Sequence, residues 1–107
     1  VQRNLAWLRA KHGDRVTPVV ADVRDAAALA AEAAKAAEVY HFAAQVAVTT
    51  SLERPEEDFG INLLGTFTLL EAVRTRAGGP CPVVFASTNK VYGDLADIPL
   101  EIRGEAW

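Results

Sequence analysis

Ser87 closes the apolar run PVVFAS (82–87), and Thr88, Asn89 and Lys90 follow it at once. Hydroxyls in that position can donate to an oxygen on which charge changes during hydride or proton transfer. A serine–threonine pair in a loop also commonly starts a turn, so the pair by itself decides nothing. Asp22 ends a second apolar run, TPVVAD (17–22), where its carboxylate could accept a hydrogen bond from an adenine amino group. Asp22 and Asp25 would equally serve a turn and a helix cap. Ala43 and Ala44 end a third run, VYHFAA (39–44); side chains this small let a ligand approach the backbone, although strand-against-helix packing asks for the same residues. His41 lies inside that run with no carboxylate or cysteine in a position to activate it, and reads as a satisfied core histidine. Cys81, between two prolines at a strand entrance, reads as structural. With only His12 and His41 available, no nucleophile–base–acid triad is visible.

These residues need a scaffold that brings the ends of several apolar runs together. Each run is short and apolar, and 17–22 is β-branched and unalternating, as a strand buried on both faces should be. Helices are expected between them. Residues 2–12 form the first, with Leu5 and Leu8 on one side and Gly13 at the position that ends it. An alanine-rich helix over 26–37 is capped by Asp25. After a polar linker containing Thr49, Thr50 and Ser51, Pro55 opens a long helix over 55–76. Glu56, Glu57 and Asp58 meet the positive end of its dipole, and Phe59, Leu63, Phe67 and Leu70 form one apolar stripe. Residues 77–80, AGGP, stop it. Asn62, off that stripe, could face solvent or hydrogen-bond a strand-end loop. Strands alternating with helices imply an α/β fold with a parallel sheet, whose ligands bind at the carboxyl ends of the strands.

The bulk properties narrow the function classes. The 107 residues carry 14 acids against 11 bases, a net charge of −3, so no basic stripe offers itself to nucleic acid or an acidic membrane. No apolar run approaches the roughly 20 residues that span a bilayer, and the first ten residues do not form a signal peptide. The single cysteine can make no internal disulfide and has no ligand-spaced companion for a metal, so a cytoplasmic setting is expected. The sequence contains no methionine and reads as a segment of a longer protein.

Taken in order, Asp22-Val23-Arg24-Asp25, His41-Phe42-Ala43-Ala44-Gln45, Ser51 with Pro55, Asn62 with Gly65-Thr66 and Leu70-Glu71-Ala72, then Phe85-Ala86-Ser87-Thr88 leading into Val91-Tyr92-Gly93, resemble the extended short-chain dehydrogenases/reductases. These are the NAD-dependent nucleotide-sugar epimerases and dehydratases. The resemblance implies a partial Rossmann-type doubly wound parallel sheet, with three strands alternating with helices and the first two strands of the fold missing. Residues 1–107 would then be an internal fragment of an NAD(P)-binding Rossmann domain. It implies NAD as cofactor, with Asp22 and Val23 at the adenine. Phe42, Ala43, Ala44 and Gln45 would lie along the ribose and pyrophosphate, Asn62 on the cofactor side of the sheet, and Ser87 beside the cofactor. Thr88 falls on the family's catalytic hydroxyl, which also binds substrate together with Asn89 and Lys90.

Nucleotide-sugar 4,6-dehydratases carry an Asp-Glu pair after that hydroxyl, and Asn89-Lys90 cannot eliminate water as such a pair does. The run STNKVYGDL (87–95) is similar instead to the CDP-paratose 2-epimerases, with UDP-sugar 4-epimerases as the alternative and a non-catalytic NAD(P)-binding relative as a third reading. A flavodoxin-like receiver would also place acids at strand ends, but leaves the motifs between Asn62 and Gly93 without a reason. The implied partners are a nucleotide-sugar and a second copy of the protein. In the family the long helix joins a dimer interface, to which Ile61, Leu64, Leu69 and Val73 could contribute. The family's glycine-rich loop, the acidic residue ending its second strand and its Tyr-x-x-x-Lys pair are absent, Tyr92 being followed by Ala96 in place of lysine. The 107 residues by themselves are therefore expected neither to bind NAD well nor to catalyse.

Overall fold

The computed structural model describes residues 2–88 together with Ile98 and Pro99. Asn89, Lys90 and the segment 91–93 lie outside the described residues. Helix α1, Gln2–His12, ends where Gly13 turns to a φ of 57°, a left-handed value that glycine adopts without strain. A 3-10 turn, Gly13–Arg15, follows. Helix α2, Ala26–Ala33, starts at Asp25, whose carboxylate accepts from the backbone N–H groups of Ala27 and Ala28. It is four residues shorter than the 26–37 expected from its alanine content.

Strand β1, Val39–His41, pairs in parallel with β2, Val83–Phe85, in the register Val39 with Val83, Tyr40 with Val84 and His41 with Phe85. Both strands fall inside the expected runs, and two parallel strands with helices between them are a partial Rossmann-like α/β arrangement. The expected third strand is not formed. Residues 17–22 have no regular structure, and Val19 and Val20 are exposed. A strand exists only by pairing. In a sheet ordered 3-2-1-4-5, this segment's neighbour would be the second strand, which does not occur among the described residues.

The stretch expected as a polar linker holds a short helix, α3, Val48–Glu53. The long helix begins at Pro55 and runs as α4, Pro55–Phe59, a π turn, Gly60–Leu64, and α5, Gly65–Thr75. It packs through α5 on α2. Their contact forms the core: Ala33, Leu69, Ala72 and Val73 are buried, with Leu29, Val39, Cys81 and Val83 packed against them. The expected stripe is on the other side. Phe59, Leu63, Phe67 and Leu70 are each about half exposed, whereas Leu69 and Val73, read as lying off the stripe, are buried. Helical periodicity finds both faces; which one is covered depends on the elements that pack there. The radius of gyration, 18.3 Å, exceeds the roughly 13 Å of a compact domain this long, as a four-residue core requires.

Candidate functional site

The carboxyl ends of β1 and β2 open onto a cleft of about 620 Å³. Phe42, Ala43, Ala44, Gln45, Asn62, Ser87 and Thr88 all line it, so seven of the residues singled out by sequence meet in one place. Asp22 and Val23 do not join them. They border a separate hollow of about 410 Å³ between the 21–23 turn, α2 and β1, and only His41 and Ala43 touch both spaces.

The cleft wall is built by one side-chain amide. Asn62 sits in the π turn, where its Oδ1 accepts from the Gln45 N–H at 2.8 Å and its Nδ2 donates to the Gln45 carbonyl at 3.1 Å. Its second N–H donates to Asp58 Oδ1, also at 3.1 Å. Every donor and the carbonyl oxygen of the amide are thus engaged, and of the two placements left open by sequence, Asn62 takes the strand-end loop. Ser51 Oγ donates to the same Asp58 oxygen at 2.7 Å, which ties α3 to α4. The loop closes on itself where the Val46 N–H donates to Gln45 Oε1 at 3.0 Å.

His41 is the one buried polar side chain among the described residues, 5% exposed. Its Nε2 lies 2.9 Å from Thr66 Oγ1, and the Thr66 hydroxyl donates its only hydrogen to the Asn62 carbonyl at 2.7 Å. Nε2 must therefore carry the proton and donate to Thr66. Burial against the Phe85 ring and the helix disfavours the charged imidazolium and holds the pKa below the usual histidine value. His41 is a satisfied core histidine, as its surroundings in the sequence indicated. Ser51, Asp58 and Thr66, read in the sequence as linker, helix-start and motif residues, serve as hydrogen-bonding partners within the wall. The spacing 58, 62, 66 sets the three polar side chains i, i+4, i+8 along one row of the helix.

At the hollow, Asp22 is held by Arg24 through three contacts: backbone N–H at 2.8 Å, Nε at 2.9 Å and a terminal nitrogen at 2.7 Å. Chiefly these hydrogen bonds lower its pKa to about 2, and the pair is exposed. The turn packs tightly on the long helix at Gly65 and makes ordinary contact at Gly60. A Cβ on Gly65 would come within 2.7 Å of Val23 Cγ1, and one on Gly60 within 3.7 Å of Arg24 Cδ. The first distance leaves no room for any side chain. Val23 and Gly65 thus meet beside the hollow.

The end of β1 leaves room for a ligand to come close to the backbone. Ala43 and Ala44 are exposed and offer nothing larger than a methyl group, so a ribose or phosphate can approach the backbone over them. No cluster of three or more metal-ligating side chains occurs among the described residues, and no described helix is long and apolar enough to cross a membrane.

A parallel strand pair, a cleft at its carboxyl ends and this ordered set of residues define a class. The chain belongs to the NAD-dependent epimerase/dehydratase family: the family model described as GDP-mannose 4,6 dehydratase matches residues 2–105. The chain is 55% identical to the CDP-paratose 2-epimerase of Salmonella typhi over 56 residues, 52% of this chain and 16% of that protein. It is 40% identical to the dTDP-glucose 4,6-dehydratase of Mycolicibacterium smegmatis over 82 residues, covering 77% and 24%. A probable UDP-glucuronate 4-epimerase of Rhizobium meliloti shares 34% identity over 98 residues, covering 92% and 28%. The chain thus spans about a quarter, or less, of these relatives.

Proposed function

We propose that the protein carrying this chain is an NAD-dependent nucleotide-sugar epimerase that inverts C2 of a CDP-linked sugar. The observation that carries this reading is the convergence of Phe42, Ala43, Ala44, Gln45, Ser87 and Thr88 on one cleft. NAD, when bound, reversibly removes a hydride from the sugar. Residues 42–45 would hold its ribose and pyrophosphate, with Ser87 beside it. Asp22 and Val23 would meet the adenine where the hollow adjoins the cleft. Thr88 would donate a hydrogen bond to the sugar oxygen on which charge changes, assisting the proton's movement there. Asn89 and Lys90 would contact the substrate. They also favour epimerisation over dehydration, since an amide and an amine do not replace the acid–base carboxylates that eliminate water. The 55% identity to a CDP-paratose 2-epimerase supports the same choice.

A UDP-sugar 4-epimerase is the second reading, favoured by the likeness to a probable UDP-glucuronate 4-epimerase that extends over 92% of the chain. The working protein would be a cytoplasmic homodimer, joined along the half-exposed stripe Phe59, Leu63, Phe67 and Leu70. A row of four large apolar side chains on one helix favours a partner. Incubating the intact protein with CDP- and UDP-sugars in deuterated water, and reading the product stereocentre by NMR, tests the reaction. Inversion at C2 is expected. Inversion at C4 alone replaces the first reading with the second, and NAD binding without any turnover points to a non-catalytic relative.

A further inference from the structure

Two cross-links join the end of β1 to the long helix, and they are evenly stepped. His41 bonds Thr66, and Gln45 bonds Asn62 through both its N–H and its carbonyl. The partners are four residues apart on the strand end and four apart on the helix. Thr66 closes the set by donating back to the Asn62 carbonyl. Between the cross-links lie Phe42, Ala43 and Ala44, three exposed residues that line the cleft.

We infer that His41 and Thr66 are positioning residues: they fix the helix turn that carries Asn62, and through it pin the cleft wall formed by residues 42–45. Hydrogen count gives the pair its direction. Thr66 has one hydroxyl hydrogen, it goes to the Asn62 carbonyl, and so Thr66 can only accept from His41. Valine at position 66 keeps the shape but removes both bonds, leaving a buried imidazole N–H with no acceptor. Serine keeps both. The effect falls on the wall because the π turn, Gly60–Leu64, departs from the regular α-helical pattern where Asn62 sits. The hydroxyl's bond to the carbonyl four residues back holds that turn from inside the molecule.

The consequence for cofactor affinity rests on the function proposed above; the consequence for the wall does not. The test uses the intact protein with Thr66→Val, Thr66→Ser and His41→Phe, and has three readouts. In the unmodified protein, nitrogen-15 NMR should find His41 with the proton on Nε2; a proton on Nδ1 alone overturns the pairing, whatever the variants do. Hydrogen exchange at the Gln45 amide should accelerate about tenfold or more in Thr66→Val and His41→Phe. It should return towards the original rate in Thr66→Ser, while the amides of Leu69 and Val73 stay protected. Unchanged Gln45 exchange in both disruptive variants overturns the positioning role. NAD affinity should fall about tenfold in step with that exchange. If the unmodified protein binds no NAD while Gln45 still responds, the positioning role stands and the cofactor reading fails.

Discussion

On the cleft side of β1, the polar groups of the wall are joined in a network: Ser51 to Asp58, Asp58 and Gln45 to Asn62, and Asn62 through Thr66 to His41. On the other side, the hollow is bounded by residues 21–23 without regular structure, and Asp22 has its cationic partner only two residues away. The difference follows from where the partners lie in the chain. The cleft wall is closed by contacts 17 and 25 residues apart, all within the described residues. The Asp22 side expects a neighbouring strand that they do not include. One side of the candidate site is thus assembled by contacts within the described residues, and the other side holds only its turn.

The contrast predicts unequal responses to mutation in the intact protein. Thr88→Val should have the largest effect, lowering kcat by about 10²- to 10⁴-fold with NAD affinity little changed. Steady-state kinetics beside a cofactor titration measures this, and an unaltered kcat removes Thr88 from the chemistry. Asn62→Ala should come next. It leaves the Gln45 N–H and carbonyl without their partner and should cost roughly 2–3 kcal/mol of stability, read by denaturant unfolding. Gly65→Ala attacks the contact between the long helix and the turn that borders the hollow. With Val23 Cγ1 in the way, the 22–25 turn must shift, at a cost of about 1–3 kcal/mol. If Asp22 and Val23 meet the adenine, the same variant should weaken NAD binding more than it changes kcat.

The effect of pH on His41 should be smaller. Because burial lowers its folded pKa, the unfolded chain takes up a proton first as the pH falls. Its contribution is therefore complete above about 6.5 and is lost as the pH drops through the lower folded value. Urea midpoints between pH 7 and 5 should show that slope, reduced in His41→Phe. Asp22→Asn should change stability least. The carboxylate's contribution is present above its ordinary range and disappears only as the pH falls through about 2, and an exposed pair contributes little. A large loss of stability at neutral pH would contradict the picture of a loosely held side.

Elements with a local signal were legible in the sequence. Asp25 announced α2, Gly13 the end of α1 and Pro55 the start of α4, because caps and first-turn prolines act within a few residues. The short apolar runs located β1 and β2 for the same reason. Helix α3 was not legible, since Thr49 and Thr50 are poor helix formers and the tie to α4 through Ser51 and Asp58 belongs to the tertiary structure. The π turn left no mark in composition. The 17–22 run reads as a strand by every local measure and lacks only its neighbour, while the choice of buried helix face was settled by α2 and left Phe59, Leu63, Phe67 and Leu70 half exposed. Most of the residues lining the cleft lie at strand ends or at Asn62, which the sequence marked; the cross-links that hold them join positions 17 and 25 residues apart and leave no local signal.

The placement of the cofactor against the wall that residues 42–45 form at the carboxyl end of β1 is the point on which the proposed function turns. It is tested most directly by titrating NAD into the isotopically labelled intact protein and following its backbone amide signals. The amides of Ala43, Ala44, Gln45 and Ser87 should shift together and saturate at one affinity, with Ala33 and Val73 in the core unmoved. Saturable binding that leaves the amides of residues 43–45 unshifted would contradict it.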